Sequence, residues 1–296
     1  MTVHGEASRR VGGTRTGALW NTAVAMVSHK CVPAEPLSAF VRCFWYSEGA
    51  PETHTKEQLM PNGEPTIVFN LRDDEMRIYD AEDLTRYMSY RRAVISGPRT
   101  GCFVIDTAQE DRVFGIQFLP GGAFPFFRVP ASEMANQSID LALLWGSAAS
   151  ELRERLLSSH SKHEMFRIAE QYLLSQLVRP LQLHPAVSFA RERFLKRHTD
   201  SMASVSDEIG LSQRRFIQLF EQQIGLTPTA FFRVRRFQRL LLRVHGGREV
   251  EWVQVALDCG YYDQAHFIHD FREFSGMTPT QYVSRVTEHL NHVPIL

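Results

Sequence analysis

One block of sequence occurs twice in the last third of this chain, and this repeat constrains the fold more than any other feature. The first copy, SQRRFIQLFEQQIGLTPTAFF, begins at Ser212, and the second, DQAHFIHDFREFSGMTPTQYV, begins at Asp263, which is 51 positions later. The identical pairs are Gln213/Gln264, Phe216/Phe267, Ile217/Ile268, Phe220/Phe271, Gly225/Gly276, Thr227/Thr278, Pro228/Pro279 and Thr229/Thr280. Such an internal repeat indicates two copies of one small structural unit.

Each copy predicts a helix that ends sharply before a second helix begins. Ser212 and Asp263 suit the N-cap position, where a side-chain oxygen accepts a backbone N–H. Gly225 and Gly276 suit the left-handed residue that ends a helix, and the Thr-Pro pair that follows suits the start of the next one. Upstream, VSDEIGLS and VALDCGYYD each supply a short helix and a turn glycine. Each unit is therefore predicted to be a helix-turn-helix.

The outward faces of the two repeated helices carry the candidate DNA-reading residues. At about 100° per residue, the paired phenylalanines share one face and polar residues occupy the opposite one. Arginine pairs with guanine, glutamine with adenine, and a methyl group contacts thymine in the major groove. The candidate base contacts are Arg214, Gln218, Gln213, Gln264, Ala265 and His269. An ordinary solvated helix face is the alternative interpretation for any one of them.

Charge is distributed unevenly along the chain. Lys and Arg number 33 and Asp and Glu number 33, so the formal net charge is zero and does not itself indicate a nucleic-acid partner. Between positions 214 and 243, however, Glu221 is the single acid, against the arginines Arg214, Arg215, Arg233, Arg235, Arg236, Arg239 and Arg243. This basic stripe predicts phosphate contacts. The candidate DNA-backbone contacts are Ser212, Arg215, Arg235, Arg236, Arg239, His266 and Arg272.

A single helix is predicted to join the two units. The segment from Thr229 to Arg243 contains 15 residues and places Phe231, Val234, Phe237 and Leu241 on one packing face. At 1.5 Å per residue it is about 22 Å long. That length suits two reading helices held about one DNA turn, roughly 34 Å, apart.

Taken together, these features resemble the AraC/XylS family of bacterial transcription regulators. The similarity rests on repeat, spacing and order, ends in GYYDQAHFIHDFREFSGMTPTQY, and covers residues 183 to 285. It implies a seven-helix DNA-binding domain, placed at residues 183–288, whose two recognition helices enter successive major grooves of double-stranded DNA. It also implies a homodimer and contact with RNA polymerase. The sequence departs from the family at His269, where many members carry arginine, so a strong guanine contact is not implied there.

Residues 31–178 predict a β-rich regulatory domain. Short apolar runs separated by turn residues predict a small antiparallel barrel or a double sheet; the runs are LSAFVRCFWY, PTIVFNL, MRIYD, AVISG, CFVIDT and VFGIQFLPGG. LMPNGEPTIVFNL and FGIQFLPGGAFPFF also resemble the jelly-roll-like regulatory domain of one AraC subgroup. The predicted fold class is α+β: a β-barrel or jelly-roll-like domain with accompanying helices, then an all-α domain of two helix-turn-helix units joined by a linker helix.

Two further features concern the regulatory domain. Residues 139–178 show amphipathic helical spacing, and these helices either form a dimer interface or pack on the β domain. The proline-containing segment from Arg179 to Pro185 is the predicted linker. A small-molecule effector is predicted in an interior cavity lined by Trp45, Tyr46, Phe69, Phe103, Phe114 and Phe118, although aromatic residues at strand spacing also suit a core.

The sequence offers little support for enzymatic or metal chemistry. His54 is the one histidine of the β region, and the cysteines Cys31, Cys43, Cys102 and Cys259 lack CxxC spacing. No catalytic residue, metal ligand or cofactor is therefore predicted, and the protein is expected not to be an enzyme. Two alternatives stay open: a sensing module with weak DNA binding, and a fusion with a DNA-repair alkyltransferase.

The remaining expectations concern the ends of the chain and its location. Residues 1–30 are predicted to be a disordered leader, with Met1 or Met26 as the translation start, and residues from Glu288 onward are predicted to be a frayed tail. No apolar run reaches the roughly 20 residues of a membrane helix. A cytoplasmic protein with no membrane partner is expected.

Overall fold

The computed structural model describes residues 27–49, 54–107, 109, 112–196, 205, 208–245 and 250–295. Its first element is strand β1, Val27–Cys31, so residues 27–30 are part of a sheet and the prediction that the leader extends to residue 30 was wrong there. Residues 1–26 of the predicted leader, including Met26, lie outside the described residues.

Two antiparallel sheets form the N-terminal domain, which is the double-sheet form of the predicted fold. The first sheet has the strand order β1-β2-β9-β4-β7-β10, and the second has the order β11-β3-β8-β5-β6. The remaining strands are β2 Val41–Glu48, β3 Lys56–Leu59, β4 Thr66–Asn70, β5 Glu75–Tyr79, β6 Tyr87–Arg91, β7 Ala93–Ser96, β8 Phe103–Asp106, β9 Arg112–Phe118, β10 Ser138–Asp140 and β11 His292–Ile295. Each of the six predicted apolar runs overlaps one of these strands.

Alternation along the first sheet separates its two faces. Phe44, Phe69 and Phe114 point to one side and are almost completely buried. On that side pack the helices α1 Leu141–Trp145, α2 Ser147–Leu157 and α3 Lys162–Ser175. Phe114 and Phe166 lie 5.9 Å apart between ring centroids, and Arg153 Nε donates to the Asn70 carbonyl at 2.7 Å. The amphipathic helices predicted at 139–178 therefore pack on the β domain through their apolar faces.

The C-terminal domain is helical. Its helices with defined bounds are α4 Pro185–Lys196, α5 Gln213–Ile224, α6 Pro228–Val244, α7 Trp252–Asp258, α8 Gln264–Ser275 and α9 Pro279–Arg285; Val205, Glu208 and Ile209 are also helical. The two copies of the repeat form α5 and α8, and α6 is the predicted joining helix. It has 17 residues, about 25 Å. Its predicted packing residues Phe231, Val234, Phe237 and Leu241 are fully buried.

The predicted capping residues lie at both ends of the repeated helices, as expected. Ser212 Oγ accepts from Arg215 N at 3.4 Å, and Asp263 Oδ1 accepts from His266 N at 2.8 Å. Gly225 and Gly276 have φ angles of 95° and 66°, in the left-handed region that glycine tolerates. Because these signals are local, the sequence alone was sufficient to place both helices.

The two domains are packed against each other through α5 and α6. Gln238 Nε2 of α6 donates to the Pro61 carbonyl at 2.8 Å, and Arg235 Nη1 donates to the Asn62 carbonyl at 3.4 Å. At the end of α5, the backbone of Gly225 lies against Pro98 and Ala131. One continuous hydrophobic core spans both domains.

The end of the described chain is a strand and not the predicted frayed tail. β11 pairs antiparallel with β3 of the N-terminal domain, in a register that puts Val293 opposite Gln58. The segment before β11 is fixed as well: Met60 N donates to the Asn291 carbonyl at 2.9 Å, and Gln238 Nε2 donates to Asn291 Oδ1 at 2.8 Å. Residues that follow the second helix-turn-helix unit therefore complete a sheet in the other domain.

Candidate nucleic-acid interface and interior cavity

The outer faces of α5 and α8 carry every candidate base contact in exposed positions. The side chains of Gln213, Arg214 and Gln218 are exposed on α5, and those of Gln264, Ala265 and His269 are exposed on α8. Arg214 makes no hydrogen bond to another residue within the described part of the chain. His269 is 77% exposed and lies 3.7 Å from Glu273. Each helix thus presents a polar surface opposite its buried phenylalanines, at matching positions of the repeat.

Four of the candidate backbone contacts also lie at the surface. Ser212, Arg215 and Arg272 are exposed. Arg215 Nη1 donates to Gln218 Oε1 at 3.0 Å, which places this guanidinium beside the candidate base contacts of α5. His266 is half-buried and its Nε2 lies 3.0 Å from Arg236 Nη2, so this imidazole borders a buried ion pair.

Arg236 was predicted to contact phosphate, and the structure contradicts that role. It is 7% exposed, and its Nη2 donates to Asp270 Oδ2 of α8 at 2.6 Å. Its guanidinium also lies 4.1 Å from the centroid of the Tyr261 ring. Because Asp270 neutralises this arginine inside the domain, Arg236 joins α6 to α8 and is not available to DNA here.

Arg235 and Arg239 were also wrongly predicted to be phosphate contacts. Arg235 faces the N-terminal domain, with Nη1 4.0 Å from the buried carboxylate of Glu64. All three guanidinium nitrogens of Arg239 are buried, its guanidinium lies 5.9 Å from the Phe232 ring centroid, and burial lowers its pKa. The stripe was misread because the acids that pair with Arg235 and Arg236, and the contacts that bury Arg239, lie elsewhere in the sequence.

Asp270 is a buried residue beneath the candidate interface whose structural importance the sequence analysis missed. It is 1% exposed and accepts from Arg233 Nη2 at 2.7 Å as well as from Arg236. Burial alone raises the pKa of Asp270, but the hydrogen bonds and charges of the two arginines outweigh that effect, so the pKa is lowered. A carboxylate on the core face of an amphipathic helix was the available signal, because such a group requires a buried cationic partner.

An interior cavity of about 420 Å³ lies between the two sheets of the N-terminal domain. The first sheet lines it with Trp45, Val68, Val94 and Val113, and the second with Ile78, Phe103 and Ile105. Residues 288–291, which precede β11, and His292, its first residue, form part of the cavity wall. The space between the sheets is filled only in part, by a small cluster around Met76 and Tyr90.

Four of the six aromatic residues predicted to line this cavity do not line it. Trp45 and Phe103 are at its wall. Tyr46, Phe69, Phe114 and Phe118 are buried in the main core on the opposite face of the first sheet. Side chains alternate along a strand, so the predicted face was displaced by one residue.

A buried carboxylate in the cavity wall holds the start of β11 in place. Glu57 of β3 lies 2.7 Å from His54 Nε2 and 2.7 Å from His292 Nδ1. Burial alone raises the pKa of Glu57, but hydrogen bonds and charge from His292 and His54 outweigh it and lower the pKa from 4.5 to about 2.

This lowered pKa leads us to expect an acid-sensitive contact between β3 and β11. The stabilisation by ionised Glu57 is present above its unfolded pKa near 4.5 and is lost as the pH falls toward 2. We expect Glu57→Gln to lower the free energy of unfolding by about 1.5–3 kcal/mol at pH 6, as loss of a charged hydrogen bond does. The difference from wild type should shrink between pH 4.5 and pH 2, measured by urea unfolding. A difference that does not change with pH would contradict this assignment.

Comparison with known proteins assigns the helical region to a family. Residues 205–285 match a family model described as "Helix-turn-helix domain", and this range contains both repeated units. The C-terminal domain belongs to the AraC-type helix-turn-helix family. Residues 29–140, the β-rich part, match a model described as "Domain of unknown function (DUF6597)".

Relatives of the AraC-type domain are named as transcriptional regulators. The chain is 32% identical over 94 residues to "Probable transcriptional regulator LumQ" of Photobacterium leiognathi, covering 31% of this chain and 38% of that protein. It is 29% identical over 100 residues to "HTH-type transcriptional regulator GadX" of Escherichia coli (strain K12), covering 32% and 34%. The chain therefore aligns with well under half the length of these curated relatives.

Among solved structures, ToxT from Vibrio cholerae O395 bound to (E)-4-(8-methylnaphthalen-1-yl)but-3-enoic acid matches over most of its length. The match covers 81% of this chain and 98% of that chain, at 9% identity and a TM-score of 0.43. Within the described residues, no helix is both long enough and apolar enough to span a membrane.

Proposed function

We propose that the protein is a sequence-specific transcription regulator that reads double-stranded DNA with α5 and α8 of its AraC-type domain. The observation that carries this proposal is the duplicated helix-turn-helix, in which both second helices bury the same phenylalanine pair and expose polar residues at equivalent positions. Phe216 and Phe220 are buried in the first unit, as are Phe267 and Phe271 in the second. If these faces were only solvent-exposed, the two helices would have no need to present polar residues at equivalent positions of the repeat.

Base reading is assigned to the six exposed candidates and phosphate contact to a reduced set. Arg214, Gln218 and Gln213 would read one major groove, and Gln264, Ala265 and His269 the next. Ser212, Arg215, Arg272 and the exposed edge of His266 remain as proposed phosphate contacts. Arg235, Arg236 and Arg239 are removed from that set because they are buried or paired.

Adjacent arginines on α5 provide a direct test of these roles. We expect Arg214→Ala to weaken binding to the specific site by about 1–3 kcal/mol and to relax base preference at one half of it, as loss of a base contact does. The matched control is Arg215→Ala, which should weaken specific and random DNA alike and reduce the salt dependence. Footprinting on the gene's own upstream DNA would locate the site, and gel shift at several salt concentrations would measure both variants. Equal effects of Arg214→Ala on specific and random DNA would contradict the base-reading role.

The interior cavity is proposed to hold a small-molecule effector. Its volume of about 420 Å³ lies within the range of ligand pockets, roughly 300–1,000 Å³, and most of its wall is apolar. The segment from Glu288 to His292 forms part of the wall, and Asn291 in that segment accepts a hydrogen bond from Gln238 of α6. An effector that moves this segment would therefore act directly on the joining helix of the AraC-type domain.

Enzymatic activity is not part of this proposal. Burial raises the pKa of the Cys43, Cys102 and Cys259 thiols, which makes them weak nucleophiles at neutral pH. A methyl-transfer assay on damaged DNA would test the alternative of a DNA-repair alkyltransferase. A homodimer, contact with RNA polymerase and a cytoplasmic location follow from the proposed regulator role, and sedimentation would test the first of these.

A further inference from the structure

The wall of the cavity between the two sheets holds a half-buried guanidinium that no carboxylate of the described residues neutralises. Arg99 follows β7 and lines the cavity, and its guanidinium lies 4.4 Å from the centroid of the Phe103 ring, which is also at the wall. Nη1 donates to the Asn136 carbonyl at 3.2 Å and Nη2 donates to Ser138 Oγ at 2.6 Å. These contacts fix the position of the guanidinium, but neither supplies a negative charge.

No carboxylate pairs with Arg99 among the described residues. Its Nε is buried without a hydrogen-bond partner, and burial, offset only in part by Tyr90, lowers the pKa of Arg99 to about 10. A guanidinium has five N–H donors, of which the two contacts to Asn136 and Ser138 use two. A half-buried charge without a counterion is less stable than a paired one, so this position favours an anion.

The buried carboxylates of the cavity wall, in contrast, have partners within the protein. Glu57 is held by His54 and His292. Glu64 accepts from Arg42 Nε at 2.7 Å and from Gln117 Nε2 at 2.9 Å. Because these acids are already neutralised, they neither compete for Arg99 nor call for a cationic ligand. Lys30 and Glu288 also line the cavity, but both are exposed to solvent. The uncompensated charge held within the wall is therefore positive and lies at Arg99.

We propose that the cavity binds a small organic acid, with its carboxylate on Arg99 and its apolar body between Trp45, Val68, Ile78 and Phe103. Planar guanidinium groups favour carboxylates because two parallel hydrogen bonds form. The apolar part of the wall around Trp45, Val68, Ile78 and Phe103 favours a hydrocarbon or aromatic body there. This inference rests on the proposed effector role of the cavity and adds the chemical class of the ligand.

The test compares matched acids and amides on the full chain. Hexanoate, octanoate, benzoate and phenylacetate would be titrated by calorimetry beside hexanamide, octanamide, benzamide and phenylacetamide. We expect at least one acid to bind and its amide to bind about tenfold or more weakly, because the charged hydrogen bonds are lost. Equal binding of acid and amide, or binding by none of the acids, would overturn the proposal.

Two variants locate the bound acid. Arg99→Gln should weaken acid binding by about 10- to 150-fold, whereas Arg99→Lys, which keeps the charge, should recover part of it. Val68→Phe keeps Arg99 and fills the cavity, so it should also abolish binding. Circular dichroism would confirm that each variant folds. Acid binding that survives both Arg99→Gln and Val68→Phe would place the ligand elsewhere and refute the inference.

The proposal of an organic-acid ligand and the proposal of a DNA-binding regulator can fail independently, and the two failures give different results. Calorimetry needs no DNA, and gel shift of the protein without added acid needs no effector. Selective DNA binding without any acid binding would overturn the ligand class alone. Acid binding without any DNA preference would overturn the regulator role and leave the cavity assignment standing.

Discussion

Replacing Asp270 with alanine is expected to lower the free energy of unfolding by about 3–5 kcal/mol, the usual cost of removing one member of a buried ion pair. Asp270 is 1% exposed, and its two carboxylate oxygens accept from Arg233 and Arg236 at 2.7 Å and 2.6 Å. Without it, the buried guanidinium of Arg236 would retain its charge with no counterion. Because this contact joins α6 to α8, the second recognition helix should lose its fixed position. Urea unfolding would measure the stability loss, and gel shift the accompanying loss of DNA affinity.

Glu273 provides the matched control on the same helix. Its carboxylate also accepts from Arg233, at 2.6 Å, but its side chain is 45% exposed. Glu273→Ala should therefore cost no more than about 1 kcal/mol, because water replaces an exposed partner at little expense. If Asp270→Ala and Glu273→Ala lost comparable free energy of unfolding, burial of Asp270 would not be the cause of the loss.

The second large effect is expected at Gly225, where the repeat allows an internal comparison. Its φ of 95° disfavours any side chain, and a Cβ would lie 2.4 Å from Pro98 Cγ and 2.9 Å from the Ala131 carbonyl oxygen. We expect Gly225→Ala to lower the free energy of unfolding by about 2–5 kcal/mol, the sum of a left-handed backbone and an overpacked contact. Thermal and urea unfolding would both measure this loss. Because Pro98 and Ala131 belong to the N-terminal domain, the variant should also loosen the packing between the domains.

Gly276 is the equivalent position in the second unit and serves as the control. It has a similar φ of 66°, but a Cβ there would meet its nearest neighbour, Gln58 Nε2, at 3.5 Å, an ordinary contact distance. Gly276→Ala should therefore show only the backbone cost, about 1–2 kcal/mol. If both alanine variants lost the same stability, contact with the N-terminal domain would not contribute at Gly225.

The parts of this fold that were predictable are those specified by local signals. The caps at Ser212 and Asp263 and the terminal glycines determine α5 and α8, and the repeat shows which faces are equivalent. The six central apolar strands were equally clear. The missed strands are β1, β3, β6, β10 and β11, and four of these form the edges of the two sheets. Edge strands tolerate charge and need no apolar alternation, as the largely exposed β6 illustrates.

The errors at the candidate site have a different origin, since they depend on contacts between distant parts of the chain. Glu64 lies 171 positions before Arg235, and Asp270 pairs with Arg236 across 34 positions. A count of charges within one segment cannot include such partners. The same holds for the cavity, where a one-residue shift of face exchanged Val68 for Phe69. Local sequence patterns predicted the repeated helices and the six central strands, but not which charges meet.

Strand β11 has a consequence for any attempt to study the two domains separately. It occupies the outer position of the second sheet, and Val293 within it is 1% exposed. A fragment cut between residues 179 and 185 would leave β3 with unpaired backbone groups along one side and an uncovered apolar groove beside them. Exposed strands of that kind recruit other chains, so the isolated regulatory half should self-associate. Supplying residues 286–295 as a separate peptide should reduce the part of this self-association that the open edge of β3 causes.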